Sequence, residues 1–125
     1  MDNSINMQGL NWEKEYAKKL VSTEEAAGVI KSGDRVFMPL GNGAPTELGK
    51  QLAARMEELE NVDLYSGVVM YPYDFLRGKS KGHVNYHSFF FSPLERRFHP
   101  EGNIDTTSVS ISELGDYFIR AKLNV

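Results

Sequence analysis

The sequence contains no cysteine. That absence removes disulfide frameworks, thiolate zinc sites and cysteine nucleophiles together, and it fits a reducing compartment. No stretch approaches the ~20 consecutive apolar residues that a membrane-spanning helix requires. Residues Met1 to Leu10 carry Asp2, Asn3, Ser4, Asn6 and Gln8, without the basic and apolar regions of a signal peptide. An excess of basic charge is also missing. The formal net charge is −3 over 125 residues, against the positive field of a general nucleic-acid binder. No internal repeat or low-complexity linker divides the chain. The expectation is a cytoplasmic protein that engages neither nucleic acid nor membrane.

The residues present alternate helical and strand patterns. Residues 1–10 read as a flexible N-terminal arm, and 11–125 as the folded part. Trp12, Tyr16 and Leu20 recur at four-residue spacing and share one helix face. Ser22-Thr23-Glu24-Glu25 reads as a capping box opening a second helix. That helix is expected to turn Ala26, Val29 and Ile30 inward and to stop at Ser32-Gly33-Asp34. Arg35 to Leu40 reads as a buried strand ending at Pro39. A helix over 46–59, with Pro45 at its first position, carries Leu48, Leu52, Met56 and Leu59 at helical spacing. Val62 to Tyr65 begins a second strand, running on towards Met70.

Strand, glycine loop, helix and strand in this order imply a parallel βαβ core and an α/β fold. Further on, Tyr71 to Asp74 reads as a turn, Arg77 to Lys81 as a basic loop, and Val84 to Phe91 as a strand. Ser92 caps a short helix with Pro93 first and Glu95 third. Glu101-Gly102-Asn103 is a turn and Thr106 to Ile111 a strand, after which Ser112 caps a last helical turn.

The most informative segment is Gly41-Asn42-Gly43-Ala44-Pro45, between a strand and a helix. Glycines allow close backbone approach, and amides at a helix start favour negative charge. Such a loop suits a phosphate, a carboxylate or a developing oxyanion. A plain strand-to-helix turn reads from the same residues. The P-loop ending is absent, because Ala44 and Pro45 follow Gly43. The dinucleotide fingerprint fails as well, because position 46 is Thr46. His83 and His87 stand four apart inside a strand pattern with no carboxylate partner at ligand spacing, so no metal is expected.

Several segments together resemble the acetyl-CoA hydrolase/transferase family, which includes the 4-hydroxybutyrate and butyryl-CoA:acetate CoA-transferases. They are Trp12 with Tyr16, Ser22 to Ala26, Ile30 to Phe37, the Gly41 to Pro45 loop, Leu59 to Tyr65, Tyr86 to Arg97, and Ile111 to Leu114. The similarity runs from Trp12 to Phe118. It implies a partial CoA-transferase-type α/β domain, the N-terminal part of a longer or two-chain enzyme. It also implies acyl-CoA and a small carboxylate as substrates, with coenzyme A entering as a thioester and no bound cofactor.

In that family a glutamate attacks the thioester and passes through a glutamyl-CoA intermediate. The resemblance places that glutamate in a later part of the family's chain, and Glu113 does not match its setting. Residues 41–45, Tyr71 and His87 are the expected substrate-contacting positions. The alternative is a non-catalytic oligomerising module built on the same half-fold, with a bare sheet edge that invites a second copy. A small nucleotide or sugar-phosphate binder is a third reading of the glycine loop.

Overall fold

The computed structural model describes residues 11–119, and side chains as far as Tyr117. The expected arm at residues 1–10 and the final residues 120–125 lie outside the described part. Among the described residues, five α-helices and four strands follow in chain order: α1 (Trp12–Lys19), α2 (Thr23–Ala27), β1 (Arg35–Phe37), α3 (Thr46–Ala54), β2 (Val62–Ser66), β3 (Val84–Ser88), α4 (Pro93–Phe98), β4 (Ile104–Thr106) and α5 (Ile111–Ile119). Short 3-10 turns lie between them. The four strands form one parallel sheet in the order β1-β2-β3-β4. The parallel β1–α3–β2 unit expected from the sequence is present, and the fold is α/β.

Alternation along the strands divides the sheet into two faces. Val62, Leu64, Val84, Tyr86 and Ile104 point to the main core, where Leu52, Met56, Phe75, Leu76 and Phe98 meet them. Leu64, Tyr86 and Ile104 lie side by side in register. The opposite face carries Asp63, Tyr65, Asn85, His87 and Asp105. A smaller cluster of Tyr65, Phe89 and Val109 sits there against Leu114 and Tyr117. Burial of the main-face side chains at about 25 cal/mol per Å² of apolar surface is the chief favourable term.

Local chemistry fixes most element ends. Asn11 caps α1 by accepting from Lys14 N–H at 3.1 Å, and Ser22 caps α2 by accepting from Glu25 N–H at 3.0 Å. The Ser92 box is reciprocal, with the Glu95 side chain returning to the Ser92 amide. Gly33 and Gly102 hold φ of +83° and +86°, which ordinary residues resist. The Arg55 guanidinium donates to the carbonyls of Ala27 and Ile30 at 2.7 and 2.9 Å. It thereby satisfies carbonyls at and beyond the end of α2.

Several expectations are corrected. Trp12 and Tyr16 share an exposed face of α1, but Leu20 lies just past the helix end at Lys19. Helix α2 ends at Ala27 rather than Ser32. Ala27 is its buried residue, and Val29 turns outward at 72% exposure. Strand β1 is an edge strand with exposed Arg35 and Phe37, not a buried one, because among the described residues only β2 pairs with it.

Pro45 occupies the cap of α3 rather than its first position, and α3 ends at Ala54, with a 3-10 turn at Met56–Glu58. Strand β2 ends at Ser66 instead of running on towards Met70, and β3 ends at Ser88 instead of Phe91. In the Tyr71 to Asp74 turn, Tyr73 is buried at 2%. Strand β4 covers 104–106 instead of 106–111, since the chain leaves the sheet after Thr106. Helix α5 begins at Ile111, so Ser112 lies inside it and does not cap it.

Candidate functional site

Parallel α/β sheets leave a ligand-accessible crevice outside the carboxyl ends of their strands. Three connections meet there. After β1, Gly41–Gly43 forms a 3-10 turn with Gly41 at φ +55°. After β2 comes Gly67-Val68, and after β3 comes Phe89-Phe90. The Gly41 amide donates to the Gly67 carbonyl at 3.4 Å, and the Val68 amide to the Phe90 carbonyl at 2.7 Å. The Phe89 amide donates back to the Ser66 carbonyl at 2.9 Å. A Cβ on Gly67 would stand 2.9 Å from the Phe90 nitrogen and 3.3 Å from Leu40. Glycine is therefore what lets these three strand ends close together.

Within the glycine turn, the Gly43 and Ala44 amides donate to the carbonyls of Leu40 and Gly41, each at 3.1 Å. Those two amides are spent on the turn itself. Helix α3 has no side-chain cap, because Pro45 stands at its cap position. The first-turn amides of a helix have no partner within the helix, and here no side chain caps them either. Asn42 and Pro45 are exposed beside them.

Val68 is the strained residue of the group. It holds φ +50°, a conformation costing a β-branched side chain about 1–3 kcal/mol. It is 41% exposed. The next residue, Val69, donates its amide to Glu95 Oε2 at 3.3 Å. Glu95 is wholly buried. Its Oε2 also accepts the Ser92 amide at 2.5 Å. Its Oε1 accepts the hydroxyls of Tyr86 and Ser88 at 2.8 and 2.7 Å. Burial, followed by the charge of Glu95, pushes the Tyr86 phenol far above its ordinary range, so it remains a donor.

The other two expected positions lie apart from the glycine turn. Tyr71 flanks a shallow hollow on the later half of α3, with Lys50, Ala53, Ala54 and Asp74. Lys50 stands 5.0 Å over its ring and bonds Glu47, a contact that raises the Lys50 pKa. His87 projects from the sheet face opposite α3. Its Nε2 is 3.1 Å from Asp63 Oδ1, and its ring stacks on Tyr65 at 4.7 Å. Burial, then the Asp63 charge, raises the Tyr65 phenol. His83 Nδ1 contacts the Leu59 carbonyl at 2.7 Å. Among the described residues no three His, Cys, Asp or Glu side chains gather as a metal set.

Sequence reasoning missed Glu95 and Val68. Glu95 was read only as a capping residue. A signal for its burial existed: Tyr86 and Ser88 share the inward face with Val84, and their hydroxyls require a buried partner. Nothing in Gly67-Val68-Val69 signals the left-handed turn.

A family model described as the acetyl-CoA hydrolase/transferase N-terminal domain matches residues 1–121. A butyryl-CoA:acetate CoA-transferase from Anaerostipes caccae is 36% identical over 110 residues, covering 87% of this chain and 25% of that protein. A succinyl-CoA:cyclohexane-1-carboxylate CoA transferase from Geobacter metallireducens is 37% identical over 102 residues, covering 82% and 23%. The crystal structure of RipA from Yersinia pestis superposes with a TM-score of 0.78 at 20% identity, covering 87% of this chain and 28% of that one. The chain thus spans about a quarter of the length of these relatives.

Proposed function

Since the chain belongs to the acetyl-CoA hydrolase/transferase family, we propose that it forms the acyl-CoA-binding N-terminal part of an acyl-CoA:carboxylate CoA-transferase. The acyl groups are of the acetate, butyrate or 4-hydroxybutyrate class. The observation carrying this reading is the glycine turn, Gly41 to Pro45, at the carboxyl end of a parallel strand and before an uncapped helix. In this reading the first-turn amides of α3, with Asn42, meet the thioester oxygen or a phosphate of coenzyme A. Tyr71 and His87 then serve more distant parts of the substrate.

The attacking carboxylate comes from outside this chain. Glu95 is enclosed by four donors, and Glu113 is exposed on α5, away from the glycine turn in sequence and element. A glutamate carboxylate displaces CoA thiolate from the acyl carbon, giving a mixed anhydride. The thiolate then attacks the glutamyl carbonyl and releases the acyl carboxylate, leaving a glutamyl-CoA thioester for the acceptor carboxylate.

Titration calorimetry with acetyl-CoA, coenzyme A and ATP tests the reading. Binding selective for the two coenzyme A species is expected, and a preference for ATP would overturn it. The chain alone is expected to give no transfer from acetyl-CoA to butyrate. Transfer that disappears in Glu113→Gln would overturn the placement of the nucleophile.

A second reading, a self-associating module, is favoured by one observation. An apolar hollow of about 280 Å³ opens between α2, β1 and α3, lined by Val29, Ile30, Phe37, Pro39 and Leu48 among others.

A further inference from the structure

We infer that Glu95 is a positioning residue for the acyl-thioester site, acting through the backbone of Val68 and Val69. The inference rests on the proposed function for its substrate class, and on geometry for the rest. Val68 is held in the left-handed region by bonds on both sides. Its own amide donates to the Phe90 carbonyl at 2.7 Å, and the following amide, of Val69, donates to Glu95 Oε2 at 3.3 Å. The residue before it, Gly67, accepts from the Gly41 amide of the glycine turn. A shift at Val69 therefore reaches the glycine turn through two peptide units.

The carboxylate itself has little freedom. Oε2 takes two amides from separate segments, and Oε1 takes two hydroxyls from β3. Glu95 thereby ties the carboxyl ends of β2 and β3 to the start of α4. The strain at Val68 persists because these bonds over-determine it, a situation that recurs at binding and catalytic sites.

Reach and charge make opposite predictions, and two substitutions separate them. Glu95→Gln preserves reach. Its oxygen can accept both amides, and its NH2 can donate to the hydroxyls of Tyr86 and Ser88, which turn to accept. Glu95→Asp preserves charge but is one methylene shorter, so the 3.3 Å bond to Val69 is the first lost. A residue serving only as a buried charge would tolerate Asp and not Gln, and one serving only as a helix cap, a role Gln also fills, would leave Val69 exchange unchanged in Glu95→Asp. Glycine adopts positive φ without strain, so Val68→Gly no longer needs the anchor.

The experiment measures Val69 amide exchange and acetyl-CoA affinity in each variant. Glu95→Asp is expected to speed Val69 exchange about tenfold beyond any change at Leu64 in the preceding strand β2. It is expected to weaken acetyl-CoA about tenfold, whereas Glu95→Gln stays within about threefold of the unaltered chain. Adding Val68→Gly to Glu95→Asp is expected to restore affinity. Retained Val69 protection and affinity in Glu95→Asp, or loss of both in Glu95→Gln, overturns the inference. Failure of the unaltered chain to bind acetyl-CoA sinks the proposed function and the substrate assignment with it. The exchange measurement then still decides whether Glu95 holds the turn.

Discussion

Gly49 sits in the middle of α3, where glycine is about 1 kcal/mol worse than alanine on intrinsic propensity. Packing explains its presence. A Cβ there would lie 2.6 to 2.9 Å from Cε1, Cζ and Oη of Tyr73. Tyr73 cannot withdraw easily, being buried and stacked on Phe75 at 4.6 Å. Gly49→Ala is therefore expected to lose about 1–3 kcal/mol of stability despite its better propensity, read from urea unfolding. An increase in stability would show that the ring moves freely. Tyr86 supplies a second test at this scale. Its phenol keeps its proton in the folded chain after the unfolded chain has lost it, because burial and Glu95 disfavour the phenolate. The stability it contributes is full below the unfolded pKa of about 10 and is lost as pH rises beyond that. The loss from one such group is about 1.4 kcal/mol per pH unit. Tyr86→Phe should flatten the alkaline limb by one proton, measured by urea unfolding from about pH 9 to about pH 11. Tyr65 titrates in both proteins and cancels in the comparison. Equal slopes would show that the phenol is not the group responsible.

At the scale of elements, what could be read from the sequence was what neighbouring residues decide. The Ser22 and Ser92 caps, the left-handed Gly33 and Gly102, the glycine turn and the parallel βαβ core all follow from short-range chemistry. The failures are non-local. Val36-Phe37-Met38 is apolar enough for a central strand, and periodicity cannot tell which strand lies at a sheet edge. The chain order β1-β2-β3-β4 places it there, and only Met38 is buried. Alternation over 106–111 suggested a strand, but pairing with β3 ends at Thr106. Val29 followed the helical spacing of α2, yet Gly28 ends that helix first and turns Val29 outward. The candidate site divides in the same way. The glycine turn stands where the motif put it. Tyr71 and His87, expected beside it as pocket residues, stand against the later half of α3 and on the opposite sheet face.

For the whole molecule, the distribution of apolar surface carries the argument. The main core is closed around β2 and β3, while the β1 side of the sheet exposes Val29 at 72% and Phe37 at 36% around the hollow between α2 and α3. An edge strand beside apolar side chains is a template for another chain. Covering the hollow would remove apolar area worth about 25 cal/mol per Å², but association first costs several kcal/mol of lost translational and rotational freedom. Self-association of this chain should therefore be weak and dependent on concentration. Val29→Lys is expected to shift the sedimentation profile towards monomer, because a charge at the rim resists desolvation. It should leave the unfolding midpoint nearly unchanged, since Val29 is already mostly in water. The same substitution separates the two functional readings. If the β1 side serves association and the strand ends serve acyl-CoA, Val29→Lys alters sedimentation and leaves acetyl-CoA affinity intact. Loss of affinity in step with dissociation would mean instead that two copies build one site. A monomeric unaltered chain at high concentration would remove the self-associating reading altogether.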